Sequence, residues 1–428
     1  MRTILLLAYA VSPTKGSEYA VAWNFITQMS KSNRLLVLYG KSDRTMGNFD
    51  EMEEYLKTNA LENVTFIPVH GDTNKGKEGV LYSSFIKTTL SDFFSYKEWH
   101  KKAYEVACEV LKKEQVDVVH FLCPIGFKEA GYLWKLDKPY IWGPITGAHP
   151  RPFPLFKVLS MKERVIALGR NIIHPAMLCL LPQVRKAIKR TDVLLSATPL
   201  TQKQMLKLHH KDSYYLPENG ILEIENSIPV SYSGDGPLKL IWVGTLCPRK
   251  GLSILFDALA LLDKNMSWTL DIIGEGDLKE ELQQEAIEKK LQHKIHWHDA
   301  MSRSQVQQYF LRSHLHVITS LGEGNPTVLI EAMAKGIPTL TLDHCGMTGT
   351  VTEKAGIKIK INTYDQVIND IAANIQFLME HPDRINQLSA ETIKSAKTYL
   401  WSERSKFLNQ KIEEAIETFH DAKKNSYA

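Results

Sequence analysis

Short apolar runs of strand length alternate with amphipathic, helix-like segments along nearly the whole chain. A strand that is buried on both faces of a sheet has a continuous apolar run, and helices between such runs serve as crossover connections. The pattern therefore predicts βαβ units and parallel sheets that are covered on both faces. The predicted strands are Ile4–Ala8, Arg34–Tyr39, Val64–Pro68, Val116–Leu122, Tyr140–Trp142, Val193–Ala197, Leu238–Val243, Trp268–Ile273, Lys294–His298, His316–Thr319, Pro338–Thr341 and Ile357–Lys360.

The alternation is interrupted at Glu225–Pro237 (ENSIPVSYSGDGP), a stretch that is rich in Ser, Gly and Pro and has no helical period. The apolar run LKLIWVG follows directly and indicates a new first strand. We therefore expect an α/β protein of two doubly wound, Rossmann-like domains that face a cleft. The first domain is residues 1–224, the linker 225–237 and the second domain 238–397, and residues 398–428 form a terminal amphipathic helix.

Composition excludes several classes of protein. The 428 residues carry a net charge of +4, which is too mild to indicate a nucleic-acid partner. Five scattered cysteines, none in a C-x-x-C pair, predict neither a disulfide framework nor a zinc site and fit a reducing cytoplasm. The first residues, MRTILLLAYAVSP, resemble a short signal peptide, but a buried first strand explains them better. No apolar run reaches the roughly 18 residues of a membrane-spanning helix.

One predicted helix raises a question about a single carboxylate. In Leu321–Pro338 (LGEGNPTVLIEAMAKGIP), Asn325 can cap the helix start, Pro326 fits the first turn and Gly336 can close the end. The helix is apolar on every side except at Glu331, and a lone ionised carboxylate in a core is costly. Glu331 therefore either forms a salt bridge within the core or points into a polar cleft that holds a ligand.

Two cations follow the first strand of the second half. Gly244 ends that strand, and Arg249 and Lys250 stand at the start of a helix predicted from about Leu252 to Leu262. Adjacent cations beside the free N–H groups of a helix start suit a phosphate, although a solvated pair of loop charges is the alternative. Ligands of open parallel sheets bind outside the carboxyl ends of the strands, so this position favours an anion site.

The helix that carries Glu331 offers a second anion site. Pro326 has no N–H, so the free donors at the helix start belong to Thr327 and Val328, and they point out of the helix with its partial positive charge. Glu331 follows Thr327 by four residues and Val328 by three, so it lies on the same helix face. We expect Glu331 to accept hydrogen bonds from ligand hydroxyl groups there.

Glu323 and Glu331 flank seven residues in EGNPTVLIE, which resembles the E-x7-E signature of the retaining glycosyltransferases of family 4, enzymes with the GT-B fold. The resemblance continues at other strand ends in the same order. In the second half it covers VGTLCPRKGLSILFDALALL, LDIIGEGDLKEELQ and IHWHDAMSRSQVQQYFLRSHLHVITS. In the first half SPTKGSEYAVAWNF, DVVHFLCPIGFKEAGYLWKLDKPYIWGPITG and LPENGI resemble a polysaccharide-building branch of that family.

The resemblance implies roles for residues of the second half. Glu331 would bind the ribose hydroxyls of a nucleotide, and Glu323 the hydroxyls of the transferred sugar. Arg249 and Lys250 would hold the diphosphate, assisted by the N–H groups at the start of the Glu331 helix. The resemblance also implies that the terminal helix, residues 398–428, crosses back to the first domain.

Four further positions match the family's motifs. Gly16, after the first strand, would let the backbone of the first domain approach the donor phosphates. His120, at the end of VDVVH, would stand beside the donor sugar and the acceptor as a catalytic residue, together with Glu323. Gly244 and Asn325 belong to the donor-binding loops by their positions next to the cations and the Glu331 helix.

The resemblance implies a reaction without a metal or another cofactor. Charge grows on the departing diphosphate, where cations and helix-start N–H groups stabilise it, and the chain has no D-x-D motif. Transfer would occur on one face of the sugar, with the departing phosphate helping to deprotonate the acceptor, so no protein nucleophile is expected. The expected activity is transfer of a sugar from a nucleoside-diphosphate sugar to a saccharide acceptor, lipid-linked, in cell-surface polysaccharide synthesis.

Two positions depart from the family pattern. Thr245 follows Gly244 where many relatives have Arg, so the phosphate charge would rest on Arg249 and Lys250. Thr146, in GPITG, replaces a glycine of the branch's G-P-x-G-G loop.

Other functions were weighed against these motifs. A nicotinamide oxidoreductase would need G-x-G-x-x-G, but YAVSPTKGSEYA has one glycine and IIGEGDLKE lacks the third. A nucleotide-sugar epimerase or hydrolase of the same fold stays open, as does a non-catalytic sugar-nucleotide-binding protein. The intact Glu323, Lys250 and Glu331 argue against loss of activity.

Residues 151–190 combine basic and apolar side chains, with Glu163 as their one acid. Basic charge beside exposed apolar groups favours an anionic lipid surface, whereas the alternative is that the apolar groups face the core of the first domain. The resemblance favours the lipid surface, because polysaccharide-building relatives often act on lipid-linked acceptors. We therefore expect a cytoplasmic protein that is peripheral at the inner face of the cell membrane.

Overall fold

The computed structural model describes residues 1–14, 18–41, 50–70, 85–224 and 229–427. These residues form two parallel β-sheets flanked by helices, so the predicted fold class is confirmed. In the first sheet β1, an inner strand, sends Leu5 and Leu7 into one apolar core and Ile4 and Leu6 into another on the opposite face. A strand with both faces buried needs the continuous apolar run that the sequence has there.

Among the described residues the first sheet has seven strands in the order β3-β2-β1-β4-β5-β6-β7. Their bounds are β1 (Thr3–Ala8), β2 (Arg34–Lys41), β3 (Val64–His70), β4 (Val118–Cys123), β5 (Tyr140–Ile145), β6 (Val193–Ser196) and β7 (Tyr214–Tyr215). The two-residue edge strand β7 was not predicted from the sequence.

The second sheet has six strands within the described ranges, in the order β10-β9-β8-β11-β12-β13. They are β8 (Leu238–Val243), β9 (Trp268–Ile273), β10 (Ile295–His298), β11 (Leu315–Ile318), β12 (Thr339–Leu342) and β13 (Gly356–Ile359). The chain reverses its direction of winding at β1/β4 in the first sheet and at β8/β11 in the second. Such switch points leave a crevice at the carboxyl ends of the two strands.

Helices connect most of these strands. In the first half they are α1 (Glu18–Met29), α2 (Asp50–Thr58), α3 (Phe85–Lys113), α4 (Met161–Leu180), α5 (Pro182–Arg190) and α6 (Pro199–His209). In the second half they are α7 (Leu252–Ala260), α8 (Lys279–Glu288), α9 (Arg303–Phe310), α10 (Thr327–Ala334), α11 (Met347–Thr350), α12 (Tyr364–Glu380), α13 (Pro382–Lys397) and α14 (Trp401–Tyr427).

Two segments cross between the halves. Leu155, Leu159 and Ala167, around the start of α4, lie in the same apolar core as the strands of the second sheet. The terminal helix α14 goes the other way, because its Leu408 and Ile412 lie in a core of the first sheet. The predicted linker also packs, since Val230 N–H donates to Ser389 Oγ of α13 at 2.8 Å, while residues 225–228 lie outside the described ranges.

Helix α4 exposes an apolar stripe on its outer face. Met161, Val165, Leu168 and Ile172 recur at helical spacing and are all exposed, Ile172 by 63%. Of the described helices no single one is long and apolar enough to cross a membrane, whereas α4 and α5 together, bent by 54°, meet that criterion by length and composition alone.

Candidate active site

Two loops of the second domain meet at the β8/β11 switch point. The loop after β8 carries Arg249 and Lys250, and the loop after β11 carries Glu323. Main-chain bonds fix the loops to each other: the N–H of Leu321 donates to the carbonyl of Arg249 at 2.8 Å, and Thr319 Oγ1 donates to the carbonyl of Lys250 at 3.3 Å. The topology thus brings together residues that are more than 70 positions apart in sequence.

Both cations bind the same carboxylate oxygen. Lys250 Nζ lies 2.7 Å from Oε1 of Glu323, and Arg249 Nη1 bonds that oxygen too and donates to the carbonyl of Gly322 at 3.3 Å. The side chains of Glu323 and Lys250 are 13% and 14% exposed, whereas that of Arg249 is 41% exposed. The cluster contains two positive charges and one negative charge. Its net charge is therefore positive, and the more exposed Arg249 presents that charge to solvent.

Close backbone packing shapes the floor of this cluster. A Cβ placed on Gly274 would lie 1.9 Å from the carbonyl oxygen of Gly244, so a side chain there would separate the loops that follow β8 and β9. Gly251, with φ of +60°, ends the turn of Arg249 and Lys250 and begins α7. The site residue Gly244 therefore lies directly under the cluster, within van der Waals reach of the Lys250 stem.

Helix α10 begins with Thr327, one residue after the predicted first position Pro326, and its capping also differs from the prediction. Pro326 is the N-cap residue and no side chain caps the start, so the predicted capping by Asn325 is wrong. Among the described residues the backbone N–H groups of Thr327 and Val328 have no acceptor. These two donors and the positive end of the helix dipole make the start of α10 a place that could accept an anion.

Asn325 instead joins the two domains. Its Nδ2 donates to the carbonyl of Ala197 at 2.8 Å and to the carboxylate of Glu218, its N–H donates to Glu218 Oε1 at 3.0 Å, and its Oδ1 accepts from Thr350 Oγ1 at 3.0 Å. Both ends of the amide are thereby satisfied within the protein, and the residue is buried. Asn325 thus holds the Glu323 loop against the first domain through its side chain, and its assignment as a donor-binding residue stays a prediction.

Glu331 faces a cation that the sequence analysis missed. Its Oε1 lies 2.7 Å from Nε of Arg303, the first residue of α9, and Arg303 is 56% exposed. Burial raises the pKa of Glu331, and Arg303 opposes that rise. The largely buried carboxylate, 12% exposed, is thus paired with a cation that reaches solvent rather than with a partner inside the core. The signal was the helix start Ser302-x-x-Gln305, a capping box that places Arg303 at the first position of α9, after the loop that follows β10.

His120 does not lie at a strand end. Strand β4 continues to Cys123, so His120 is inside the strand and fully buried. Its Nε2 is 2.7 Å from the carbonyl oxygen of Gly143, and its ring meets Phe25 edge to face at 5.0 Å. Burial lowers the pKa of His120 to about 4. The strand-end position of His120 is therefore wrong, because β4 continues three residues beyond it, whereas its role beside donor and acceptor stays a prediction.

The structure describes only part of the first domain at the β1/β4 switch point. Gly16, the predicted close-approach glycine after β1, lies outside the described residues. Glu18, at the start of α1, is near the loop after β4, where burial raises its pKa and a bond from the Ile125 backbone opposes the rise. In the same loop burial raises the pKa of Glu129 to about 7. Neither carboxylate was identified from the sequence.

Residues 223–399 match the family model described as "Glycosyl transferases group 1". This segment contains the second sheet and the whole Arg249–Lys250–Glu323 cluster. Among solved structures, HepE of Anabaena in complex with UDP is similar, with a TM-score of 0.61 and 14% identity over 96% of this chain and 100% of that one. The same protein in complex with UDP-glucose gives a TM-score of 0.58.

The fold is that of the GT-B glycosyltransferases. In sequence, the chain is 34% identical to lipopolysaccharide 1,6-galactosyltransferase of Salmonella typhimurium over 113 residues, which are 26% of this chain and 31% of that protein. It is 27% identical to the amylovoran biosynthesis glycosyltransferase AmsK of Erwinia amylovora over 118 residues, 26% of this chain and 29% of that protein. The matches therefore span less than a third of the length of either of these relatives.

Proposed function

We propose that the protein is a retaining glycosyltransferase of family 4 that moves a sugar from a nucleoside-diphosphate sugar to a saccharide acceptor in cell-surface polysaccharide synthesis. The observation that carries the proposal is the sharing of one Glu323 oxygen by Arg249 and Lys250 beside the open start of α10. The complexes of HepE with UDP and UDP-glucose and the names of the two bacterial relatives support the substrate class.

The donor diphosphate is the ligand that fits the positive cluster. Arg249 is exposed enough to reach a phosphate, and Lys250 adds a second charge. The N–H groups of Thr327 and Val328 would donate to phosphate oxygens at the helix start. Glu323 would accept from hydroxyls of the transferred sugar, and Glu331 from the ribose hydroxyls of the nucleotide.

The proposed reaction needs neither a protein nucleophile nor a metal. The bond between the anomeric carbon and the diphosphate oxygen breaks, and the electron pair stays on the phosphate. The acceptor oxygen forms its bond to the same face of the anomeric carbon, and its proton passes to the departing phosphate. Arg249, Lys250 and the helix-start N–H groups stabilise the charge that develops on that phosphate, which lowers the barrier.

We also propose that the acceptor is lipid-linked and that α4 meets the membrane. The outer stripe of α4 is apolar and exposed, and the exposed cations Lys162, Arg185, Lys186 and Lys189 lie on α4 and α5. An apolar helix face flanked by cations binds the interface of an anionic bilayer, where each cation contributes about 1 kcal/mol. The buried Val184 and Ile188 keep α5 attached to the first domain, which favours a surface contact for the pair.

A screen of UDP- and GDP-sugars, read by nucleotide release with and without added saccharide acceptors, tests the proposal. A glycosyltransferase releases UDP or GDP and does so faster when an acceptor is present. An epimerase would change the sugar without releasing nucleotide, and a non-catalytic binding protein would bind nucleotide-sugars without turnover. Either of these results would reject the proposed activity.

A further inference from the structure

A second group of cations lies on the first-domain side. Lys128 follows β4, Arg151 follows β5, and Arg170 and His174 are one turn apart on the inner face of α4, opposite its apolar stripe. Lys128 Nζ is 2.9 Å from His174 Nε2. The carboxyl ends of the neighbouring strands β4 and β5 bring the first two cations to the same edge of the sheet, where α4 adds the others.

The backbone that carries Arg151 is fixed by α4. Asn171 Oδ1 accepts from the N–H of Arg151 at 2.7 Å, and Asn171 Nδ2 donates to its carbonyl at 2.8 Å. These two bonds involve only the main chain of Arg151. They hold the residue next to Arg170 and do not involve its guanidinium. We call Lys128, Arg151 and Arg170 the first-domain cation group.

Carboxylates near this group offset its charge only in part: Glu129 stabilises the charge of Lys128, and Glu163 that of Arg151. In the described parts of the chain, none of Lys128, Arg151 and Arg170 forms an ion pair with an acid. The nearby Glu163 is engaged in the capping box of α4, where its Oε2 accepts from the N–H of Ser160 at 2.9 Å. Glu129, beside Lys128, has a pKa of about 7 because it is buried, so much of it is protonated at neutral pH.

The crowding of like charges extends across both domains. Desolvation lowers the pKa of Arg151 and of Arg170, and repulsion from Arg249 of the second domain lowers both further. The pKa of His174 falls to about 3 through burial and then through Arg170, so its ring is neutral and Nε2 accepts from Lys128. Incompletely compensated cations held together in this way are stabilised by an anion that binds between them.

We propose that Lys128, Arg151 and Arg170 bind a phosphate or diphosphate group carried by the acceptor substrate. The inference rests on the proposed glycosyl transfer, since it names the acceptor chemistry of that same cleft. The donor diphosphate already has Arg249, Lys250 and the start of α10 in the second domain. Helix α4 joins this group on its inner face to the exposed apolar stripe on its outer face, which fits an acceptor whose phosphate lies at a bilayer surface.

Isothermal titration calorimetry with the full chain tests the inference while saturating UDP or GDP occupies the donor site. The titrants are farnesyl diphosphate and glucose 1-phosphate, with farnesol as the uncharged control. The variants are Lys128→Ala, Arg151→Ala and Arg170→Ala, with Arg170→Lys as the charge-preserving change. Lys207→Ala, at an exposed cation of α6 in the same domain, is the matched control.

Loss of a charged hydrogen bond should weaken binding of the phosphate titrants at least about ten-fold in each alanine variant. Arg170→Lys should retain most of the affinity, and Lys207→Ala should change it by less than about two-fold. Tighter binding of farnesyl diphosphate than of glucose 1-phosphate would assign the site to a lipid-linked phosphate, and the reverse order to a soluble sugar phosphate. Both results support an acceptor-phosphate site.

Two results would overturn the inference. Binding of the phosphate titrants that is no stronger than that of farnesol would exclude an anion site. An equal loss of UDP or GDP affinity in the three alanine variants would assign these cations to the donor. Failure of the proposed function would give a different result from failure of this inference. Neither nucleotide would then bind the wild-type protein, whereas phosphate binding and its loss in Lys128→Ala would be measured without nucleotide.

Discussion

Lys250 Nζ lies 2.7 Å from Glu323 Oε1, although the two residues belong to loops that follow different strands. Strands β8 and β11 are neighbours only because the sheet reverses its winding between them. The pair is largely buried, and the more exposed Arg249 beside it presents the net positive charge of the cluster to solvent. The position of this excess charge, beside the start of α10, accounts for the proposed binding of a diphosphate.

Replacing either cation should lower turnover strongly. Lys250→Ala and Arg249→Ala should each cost about 2–4 kcal/mol of transition-state stabilisation, because each removes a donor to the charge that grows on the departing phosphate. Steady-state nucleotide release measures the effect, and Arg312→Ala, an exposed cation of the same domain, is the control. Unchanged activity in both site variants would contradict the diphosphate role.

Glu331→Ala should weaken nucleotide-sugar binding about ten-fold or more, through the loss of a charged acceptor, while leaving the fold intact. The fold should survive because removing the largely buried carboxylate also removes its desolvation cost, while its partner Arg303 is exposed and can be hydrated. Calorimetric titration and thermal melting of Glu331→Ala and Arg303→Ala separate the two effects. A large drop in melting temperature with unchanged nucleotide affinity would leave Glu331 with a structural role only.

Stability should fall as pH rises through the pKa of Glu129. Burial raises that pKa from 4.5 to about 7, so the folded protein holds a proton that the unfolded chain has released. The resulting stabilisation is fully present below the unfolded pKa and is lost as pH passes the folded one, on the order of 1–3 kcal/mol.

Glu129→Gln, which is permanently uncharged, should flatten this pH dependence and should be more stable than the wild type at about pH 8. Urea unfolding at about pH 5 and about pH 8 measures it. Glu62→Gln, at an exposed acid, is the control and should leave the slope unchanged. A wild-type slope that survives in Glu129→Gln would assign the pH dependence to other groups.

The protein should sediment with anionic vesicles at low salt and much less at high salt, because electrostatic attraction to lipid is screened. Arg185→Glu, Lys186→Glu and Lys189→Glu together should abolish sedimentation. Arg190 is left unchanged, since it bonds Asp192 at 3.0 Å.

The matched control reverses three exposed cations of the second domain, Lys264, Arg312 and Lys360, and should still sediment. Absence of the wild-type protein from the pellet at low salt would refute the membrane contact and would direct the acceptor search to soluble saccharides.

Chelation should leave turnover unchanged. The proposed stabilisation of the departing diphosphate comes from Arg249, Lys250 and the N–H groups of α10, so activity in EDTA should equal that in buffer. Nucleotide release measured in EDTA, and again after magnesium is restored, checks this. A complete loss that magnesium reverses would contradict the metal-free proposal.

The strands were the most predictable part of the fold. All twelve predicted apolar runs overlap strands, because burial on both faces demands continuous apolar sequence, whereas β7 has only Tyr214 and Tyr215 and offers no run. The juxtaposition of Arg249, Lys250 and Glu323 also agrees with the rule that ligand-binding residues follow parallel strands.

The errors concern side chains whose partners are remote in sequence. Asn325 was given a local capping role, but Glu218 and Ala197 of the first domain bind its amide. His120 was expected at a strand end, although the predicted strand already continued to Leu122, and the orientation of its ring depends on Gly143 and Phe25. Local pattern carries no information on such contacts, which depend on how distant segments pack.

Proton NMR of the product, together with nucleotide release, tests the central claim most directly. With the nucleotide-sugar that the screen identifies, the account predicts release of the nucleoside diphosphate and a product whose anomeric configuration equals that of the donor. Both signals should fall by about two to three orders of magnitude in Lys250→Ala. No nucleotide release from any UDP- or GDP-sugar, or a product of inverted configuration, would contradict the account.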